Sequence, residues 1–596
     1  MTFNHYYQSE LTALRQLGKR FAERNPALAP FLGQSGQDPD VERLLEGFAF
    51  LTGRLRQKLD DELPELTHSL MQLLWPNYMR PLPACSMLQF EPLTHAAARL
   101  EVPKGTPVAS RTIHGVSCRF RTTSAIEVMP LTPESLEYSP TGNGAVLRLR
   151  LKMTAEGHLD ELRLQRLRLH LCGEPYISQM LHLSLLHHLN HVELIPLDGA
   201  GQPLEALDGA AVPIVRLRPE RVVPVGFAEE EALVPYPLNT FRGYRFLQEY
   251  FAFQDKFLFV DLEGLDSLNR LPELQHQRAR GLELRFDIQK AGIQRIRPTL
   301  DNLKLHCTPV VNLFEHDAIP IRLDGKQDQY LLLPSTLDAQ HCGVFSVDQV
   351  MGWRPGGNGN EEYVPFESFE HDPSFDVSRA RPHYRVRQQP MLRGNGLDTY
   401  LGFELRHLEQ HEILSVELTC TNQNLPSELE PGAICLPAEG TPAFLSFHNI
   451  SAVTPNYPPP LNRDYLWKLI SNMSLNYLSL VNVEALRTIL ETYDLPRHYD
   501  QHAALVSRSK LDSLVKIGHQ HVDRLHRGLP VRGVRTELVM DQQGFANEGD
   551  LFLFASVLNE FFALYASLNS YHELVVKSTQ GEVYQWAPRM GQQPLL

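Results

Sequence analysis

Near its start the chain carries apolar residues at alternating steps of four and three, a rhythm that admits narrow-striped helices and little else. Tyr7, Leu11, Leu14, Gly18 and Phe21 follow it, and Val41, Leu44, Phe48, Leu51, Leu55 and Leu59 repeat nearly the same spacing. A stripe of this width is the seam of a coiled-coil-like bundle rather than the broad face of a globular helix. The second helix has a defined start, because Asp38 can cap free N–H groups while Pro39 takes the first helical position, where its missing N–H costs nothing. A third segment, Glu65 to Trp75, carries Leu66, Leu70, Leu73 and Leu74 and is expected to stop at Pro76, which cannot continue the ladder. Three stripes on short linkers suffice for one bundle. They either pack on one another as an ordinary helical subdomain or assemble with helices of other chains, and the pattern is compatible with both.

Length sets the wider frame, since 596 residues exceed what one core usually organises and three or four domains are expected. With 43% hydrophobic and 21% charged residues the composition is globular rather than disordered. A net charge of −14 argues against a nucleic-acid surface as the main partner. No stretch reaches the ~20 unbroken apolar residues of a membrane span, and the opening MTFNHYYQSE lacks the basic-then-apolar order of a signal peptide. Cys85, Cys118, Cys172, Cys307, Cys342, Cys420 and Cys435 are odd in number, scattered and never in a C-x-x-C pair. They read as buried thiols of a reducing cytoplasm, with neither a disulfide framework nor a zinc site.

After Pro83 the period changes from helical to two. Leu147, Leu149, Leu151 and Met153 alternate with Arg148, Arg150 and Lys152, which predicts a strand with one wet face. Leu162, Leu164, Leu167, Leu169 and Leu171 continue with one slip in phase, expected as a bulge or turn at Gln165 and Arg166. A helix is expected near Tyr176 to Leu189. The polar stretch GGNGNEEYVPFESFEHDPSFDVSRARP reads as a surface loop, and the prolines of SAVTPNYPPPLNRD as a stiff connection between domains. Beyond it come a helix with Leu466, Trp467, Ile470, Met473 and Leu475 on its apolar face, a helix from Val483 to Tyr493, strands near Val515 and Val534 to Met540, a helix from Asp550 to Leu568, and a last strand at Val575 and Val576. The Asp550 helix is apolar on all sides, so it is either a central core helix or an interface.

Candidates for chemistry are few. There is no G-x-S-x-G elbow, P-loop, G-x-G-x-x-G or H-E-x-x-H. His182, His187, His188 and His191 cluster, and His187 and His191 stand four apart, but no acidic or cysteine ligand accompanies them at a metal-binding spacing; the same holds for His519, His521 and His526. Solvated or core histidines are the expected reading. The runs Asp60, Asp61, Glu62 and Glu229, Glu230, Glu231 sit where solvated charge is usual. Tyr244, Phe246, Tyr250, Phe251, Phe253, Phe257 and Phe259 could form a stacking platform, although a packed helix-to-strand corner is the expected arrangement. No catalytic, cofactor-binding or metal-binding residue is assigned.

The opening HYYQSELTALRQLGKRFAERNPALAPFLG and the following DPDVERLLEGFAFLTGRLRQKLDDELPELTHSLMQLLWPNYMRPLP resemble the start of the TssF family (also called VasA or ImpG), baseplate wedge components of the type VI secretion system. GYRFLQEYFAFQDKFLFVDL, LKLHCTPVVNLFEHDAIPIRLD, LSVELTCTNQNLP and RGVRTELVMDQQGFANEGDLFLFASVLNEFFALYASLNSYHELVV extend the resemblance, in order, over nearly the whole chain. It implies a non-enzymatic scaffold without cofactor, cytoplasmic at the membrane-docked baseplate. Its implied partners are TssG, a second TssF copy and TssK, with the spike hub and sheath-side subunits beyond them. The expected fold is multidomain α+β: a helical core-bundle segment at 1–85, β-rich domains at 86–309 (with an inserted helix) and 310–450, and an α+β C-terminal domain at 451–596. Under this resemblance the partner interface is the seam Tyr7, Leu11, Leu14, Phe21, Val41, Leu44, Phe48, Leu51, Leu55 and Leu59. The competing expectation is a β-rich carbohydrate-binding protein or hydrolase with its platform at Tyr244 to Phe259.

Overall fold

The structure, a computed structural model, describes residues 7–8, 10–15, 17, 39–60, 64–92, 99–154, 157–205, 212–236, 243–270, 279–290, 296–323, 327–338, 340–353, 360–366, 382–391, 396–403, 412–442, 445–461, 463–473, 482–526, 529–568 and 570–591. Over these it is a mixed α+β protein of several sheets. The backbone divides into two compact units, Met1–Gln72 with Asn462–Ile470, and Leu73–Leu461 with Ser471–Leu596. Its longer helices are α1 (Pro39–Asp60), α2 (Pro64–Leu74), α3 (Pro175–His187), α4 (Gly243–Ala252), α5 (Arg463–Met473), α6 (Val483–Tyr493), α7 (Gln501–Asp512) and α8 (Glu548–Ala563).

In the smaller unit, residues 7–17 are helical wherever described. Helix α1 begins at Pro39 and α2 ends at Leu74, one residue before Trp75 and two before Pro76, as the chemistry of proline requires.

In the larger unit, a six-stranded sheet takes Cys85–Pro92, Pro107–Ile113, Val116–Thr122, Cys307–Val311, Ile434–Pro437 and Leu445–Asn449, so segments more than three hundred residues apart close one core. Leu88, Phe90, Val108, Phe120, Ile434 and Phe447 fill it. A five-stranded sheet runs Val215–Leu217, Leu189–Leu197, Gly281–Ile288, Gly144–Met153, Leu131–Thr141. There the expected alternation holds: Leu147, Leu149 and Leu151 are buried, and the arginines between them reach carboxylates of neighbouring strands. The slip in phase after Leu162 is a turn rather than a bulge, and it falls at Arg163 instead of Gln165 and Arg166. A short 3-10 helix at Leu159–Leu162 ends in Arg163, whose φ of 43° turns the chain into the strand Arg166–Leu171. That strand lies in a four-stranded sheet with Phe259–Glu263, Val222–Pro224 and Leu303–Lys304.

An eight-stranded sheet, centred on Glu412–Thr421 and Gly343–Trp353, buries Val350, Leu401, Leu414, Val416 and Leu418. Its strand Asn360–Pro365 pairs in parallel with His383–Pro390, and so corrects part of the stretch read as a surface loop; residues 356–359 and 367–381 of that stretch lie outside the described residues.

The C-terminal part matches its sequence reading at α6, and departs from it in detail elsewhere. Helix α5 buries Tyr465, Leu466 and Leu469 and leaves Trp467 exposed, so the true stripe is turned from the expected one; Leu475 lies outside the described residues. Helix α8 ends at Ala563 rather than Leu568. The strand Tyr571–Ser578 is internal rather than last: it pairs in parallel with Leu529–Met540, and antiparallel with Val583–Gln585 and Arg589–Met590. A parallel pair needs a crossover, and α8 supplies it. With the sheet on one side and α3 and α4 on others, α8 is buried from Gly549 to Ala563, which identifies it as the central core helix. At Gly549 a Cβ would meet the backbone of Gln179 within 2.3 Å, so only glycine allows α3 this close.

Candidate partner interface

Helix α1 shows an inverted distribution of size. Leu44, Phe48 and Leu51 stand at i, i+4 and i+7, which places them on one stripe. They are 74%, 56% and 62% exposed. The other side carries Leu45, Ala49, Thr52 and Gly53, of which Ala49 and Gly53 are buried and the other two half-buried. The fully buried positions are thus the small Ala49 and Gly53, while three large apolar groups remain in water. Thr52 ties its hydroxyl to the carbonyl of Phe48 at 2.8 Å. Covering the three large side chains would contribute roughly 5–9 kcal/mol gross, before association costs.

The rest of the expected seam falls as follows. Leu11 is buried, Tyr7 and Leu14 are half-buried, and Phe21 lies outside the described residues. Val41, Leu55 and Leu59 belong to α1, but their side chains lie outside the described set. The structure therefore brings Leu44, Phe48 and Leu51 together on one solvent-facing stripe. The sequence reading missed Phe50, 47% exposed and off that stripe, because it breaks the four-three spacing.

The candidates for chemistry disperse or are occupied. The aromatic stretch is a helix-to-strand corner in which Tyr244, Phe246, Tyr250, Phe253, Phe257 and Phe259 are all buried. Tyr244 stacks on Tyr493 with centroids 4.5 Å apart, and its hydroxyl meets Tyr565 at 2.7 Å and donates to the carbonyl of Asn472 at 2.9 Å. No open platform exists there for a sugar ring. His187 packs against Tyr584 and Phe552, whereas His191 lies on a strand 3.4 Å from both Glu193 and Asp287. The helical spacing between them is broken because the helix ends at His187. Among the described residues no group of three or more His, Cys, Asp or Glu is placed to hold a metal. Glu231 accepts from the N–H groups of Gly226 and Ala228 and pairs with Arg168 at 3.0 Å. His519 meets Thr536, whose hydroxyl meets His572, a link across three strands, and His521 is exposed. The side chains of Asp60, Asp61, Glu62 and His526 lie outside the described residues.

Sequence reasoning missed two buried charged clusters in the larger unit. Lys256 pairs with Glu249, which also accepts from the N–H of Leu233; burial lowers the lysine to about 8 against the pull of Glu249. Lys510 donates to Asp550 at 2.7 Å and to the Tyr250 hydroxyl at 3.0 Å; Asp550 also accepts from the N–H of Ala546, and its own N–H is capped by the side chain of Asn547 at the start of α8. Each polar atom named here has a structural partner; the first cluster fastens neighbouring segments between Leu233 and Lys256, and the second joins α4, α7 and α8, far apart in sequence.

The family model "Type VI secretion system, TssF" matches residues 1–593. Type VI secretion system component TssF1 of Pseudomonas aeruginosa is 30% identical over 660 residues, covering 99% of each chain. A chain of the type VI secretion system TssK-TssF-TssG baseplate subcomplex, solved by cryo-electron microscopy, superposes with a TM-score of 0.75 at 33% identity, covering 93% of this chain and 99% of that one. A chain of the baseplate complex from the type VI secretion system gives 0.60 at 29% identity, covering the full length of both. No described helix is long and apolar enough to cross a membrane. The chain belongs to the TssF family of the type VI secretion system.

Proposed function

We propose that this chain is a structural wedge subunit of the type VI secretion baseplate, without catalytic activity, that assembles with TssG, a second TssF copy and TssK. It works in the cytoplasm at the membrane-docked baseplate, around the spike hub and beneath the contractile sheath. The observation that carries the interface is the exposed stripe Leu44, Phe48 and Leu51 on α1. Helices of TssG and of the second copy cover that stripe, and Tyr7, Leu11, Leu14, Phe21, Val41, Leu55 and Leu59 complete the shared seam. Large apolar groups left in water on a regular helical stripe favour a helical partner over a small ligand.

The division at 1–85, 86–309, 310–450 and 451–596 is the organisation proposed for this scaffold, with the C-terminal domain contacting the neighbouring wedge. Mechanically, such a subunit holds the sheath extended and transmits a change at the spike as a rearrangement between subunits. The test is L44D/L51D in the full chain, co-expressed with TssG. Loss of co-purification with an unchanged melting temperature is expected; an intact complex would sink the seam.

A further inference from the structure

In a chain of net charge −14 one cleft is walled by cations. It lies in the larger unit, has a volume of about 850 Å³, and is bounded by the strands Pro107–Ile113 and Val116–Thr122 and by the extended segment 232–235. Lys104, Arg119 and Arg121 line it, with Glu315 and Glu439 as the lining acids. None of the three cations forms an ion pair among the described residues. Lys104 donates to the backbone carbonyl of Glu230 at 2.7 Å. The Arg119 guanidinium lies 5.4 Å from the centre of the Phe314 ring. Arg121 is half-buried, and desolvation lowers its pKa while Glu315 and Asp348 act from a distance in the other direction. Asp348 is itself engaged, accepting from the hydroxyls of Ser346 at 2.7 Å and Thr419 at 2.6 Å.

Elsewhere in the same unit two partly withdrawn arginines are matched by carboxylates, whereas the buried Arg245 is met by the backbone carbonyls of Phe227 and Ala228. Arg168 makes two 2.8 Å bonds to Asp261 and a third contact with Glu231. Arg285 reaches both Glu193 and Glu283. A guanidinium partly removed from water without an anion carries a desolvation cost that an incoming carboxylate would offset. The opposite wall is apolar, from Leu233 to Pro235, and Phe314 adds a ring face. A volume of this size holds several residues of extended chain, far more than one inorganic anion.

We propose that this cleft docks an extended segment of a partner protein carrying at least two carboxylates flanked by apolar side chains. The carboxylates meet Arg119, Arg121 and Lys104, with the planar guanidiniums binding them bidentately. The apolar flanks lie on Val234, Pro235 and Phe314. This proposal rests on the assembly reading above, and names the chemistry of a second contact remote in sequence from the α1 stripe.

The test uses the full chain co-expressed with TssG and TssK, with photoreactive p-benzoylphenylalanine in place of Ala438, a residue lining the cleft. After irradiation the crosslinked partner peptide is mapped by mass spectrometry. A crosslink to a partner stretch rich in Asp and Glu is expected, with its yield falling about tenfold in R121Q and about a hundredfold in R119E/R121E. Should charge reversal prevent folding, R119Q/R121Q gives the same comparison at nearly native size. A crosslink to a segment without carboxylates, no crosslink in an intact complex, or a yield indifferent to R119Q/R121Q overturns the proposal. So does pyrophosphate binding lost in R121Q with no partner crosslink, which would assign the cleft to a small anion. Failure of TssG and TssK to co-purify at all removes the assembly reading and this proposal with it, whereas an intact complex without a crosslink removes this proposal alone.

Discussion

Helices α1 and α8 are both rich in large apolar residues, yet one holds Leu44, Phe48 and Leu51 in water and the other holds its leucines and phenylalanines in the centre of a sheet-and-helix core. On α1 the exposed Leu44, Phe48 and Leu51 share one stripe, and Arg43 and Glu46 are exposed beside them. On α8 the apolar residues run all the way round, because sheet and helices approach from several directions. A stripe marks a surface completed by one further layer, and an apolar circumference marks a helix already enclosed. The same contrast separates the histidines: His182, against Phe552 of α8, is buried and neutral, while His521 is left in water.

The comparison breaks first where partners are removed. L44D/L51D is expected to weaken binding to TssG at least about a hundredfold, read by pull-down, since each buried aspartate forfeits apolar contact and adds desolvation. On α8, Phe554→Ala is expected to cost the free chain ~3–5 kcal/mol in denaturant unfolding, because the ring is fully enclosed and leaves a cavity. Next comes Glu573→Ala, expected at ~1–2 kcal/mol: the carboxylate is fully buried and accepts from Arg524 at 2.9 Å and Arg535 at 3.2 Å, and its loss removes both bonds while water still reaches the two guanidiniums. Phe48→Ala on α1 is expected to change the free chain by less than ~0.5 kcal/mol while still weakening the complex, which sharpens the contrast with Phe554. A cost for Phe48→Ala as large as that for Phe554→Ala would erase the distinction.

The smallest expected effect is a pH dependence. Burial lowers His182 and His306 to about 4 and His170 and His572 to about 3, below the ordinary 6.5. Between those values the unfolded chain binds protons that the folded chain refuses. Stability contributed by keeping these rings neutral is therefore present above about 6.5, falls as pH drops, and levels off below the folded values near 3–4. His182→Gln is expected to flatten part of that slope in urea melts at successive pH values, and a slope unchanged by it would show that the ring beside α8 is not the group responsible.

Much of the local structure was legible from residue pattern. Pro39 and Pro76 bracket the second and third helices, Leu147 to Met153 alternates as a strand, and Val483 to Tyr493 is a helix end to end. What pattern could not supply was pairing at a distance. The strand Asn360–Pro365 hides in a polar, Gly- and Pro-rich stretch because its partner, His383–Pro390, comes later and pairs in parallel. Trp467 reads as part of an apolar face, yet Tyr465, Leu466 and Leu469 are the covered ones, since the rotation of α5 is set by what surrounds it. Charged residues read as solvated are in places core fasteners, as with Lys256 and Glu249 or Lys510 and Asp550.

For this protein the sequence alone determined the strongly periodic helices and strands, where prolines bound two of the helices, and that the leading segments carry a narrow apolar spacing, because those properties follow from side-chain volume, branching and period along a single stretch. Only the tertiary structure decided that Leu44, Phe48 and Leu51 remain in water while Phe554 does not, and that Arg119 and Arg121 share a cleft in which, among the described residues, neither is ion-paired to a carboxylate. Burial and charge pairing depend on what arrives from elsewhere in the chain, and no local period records that.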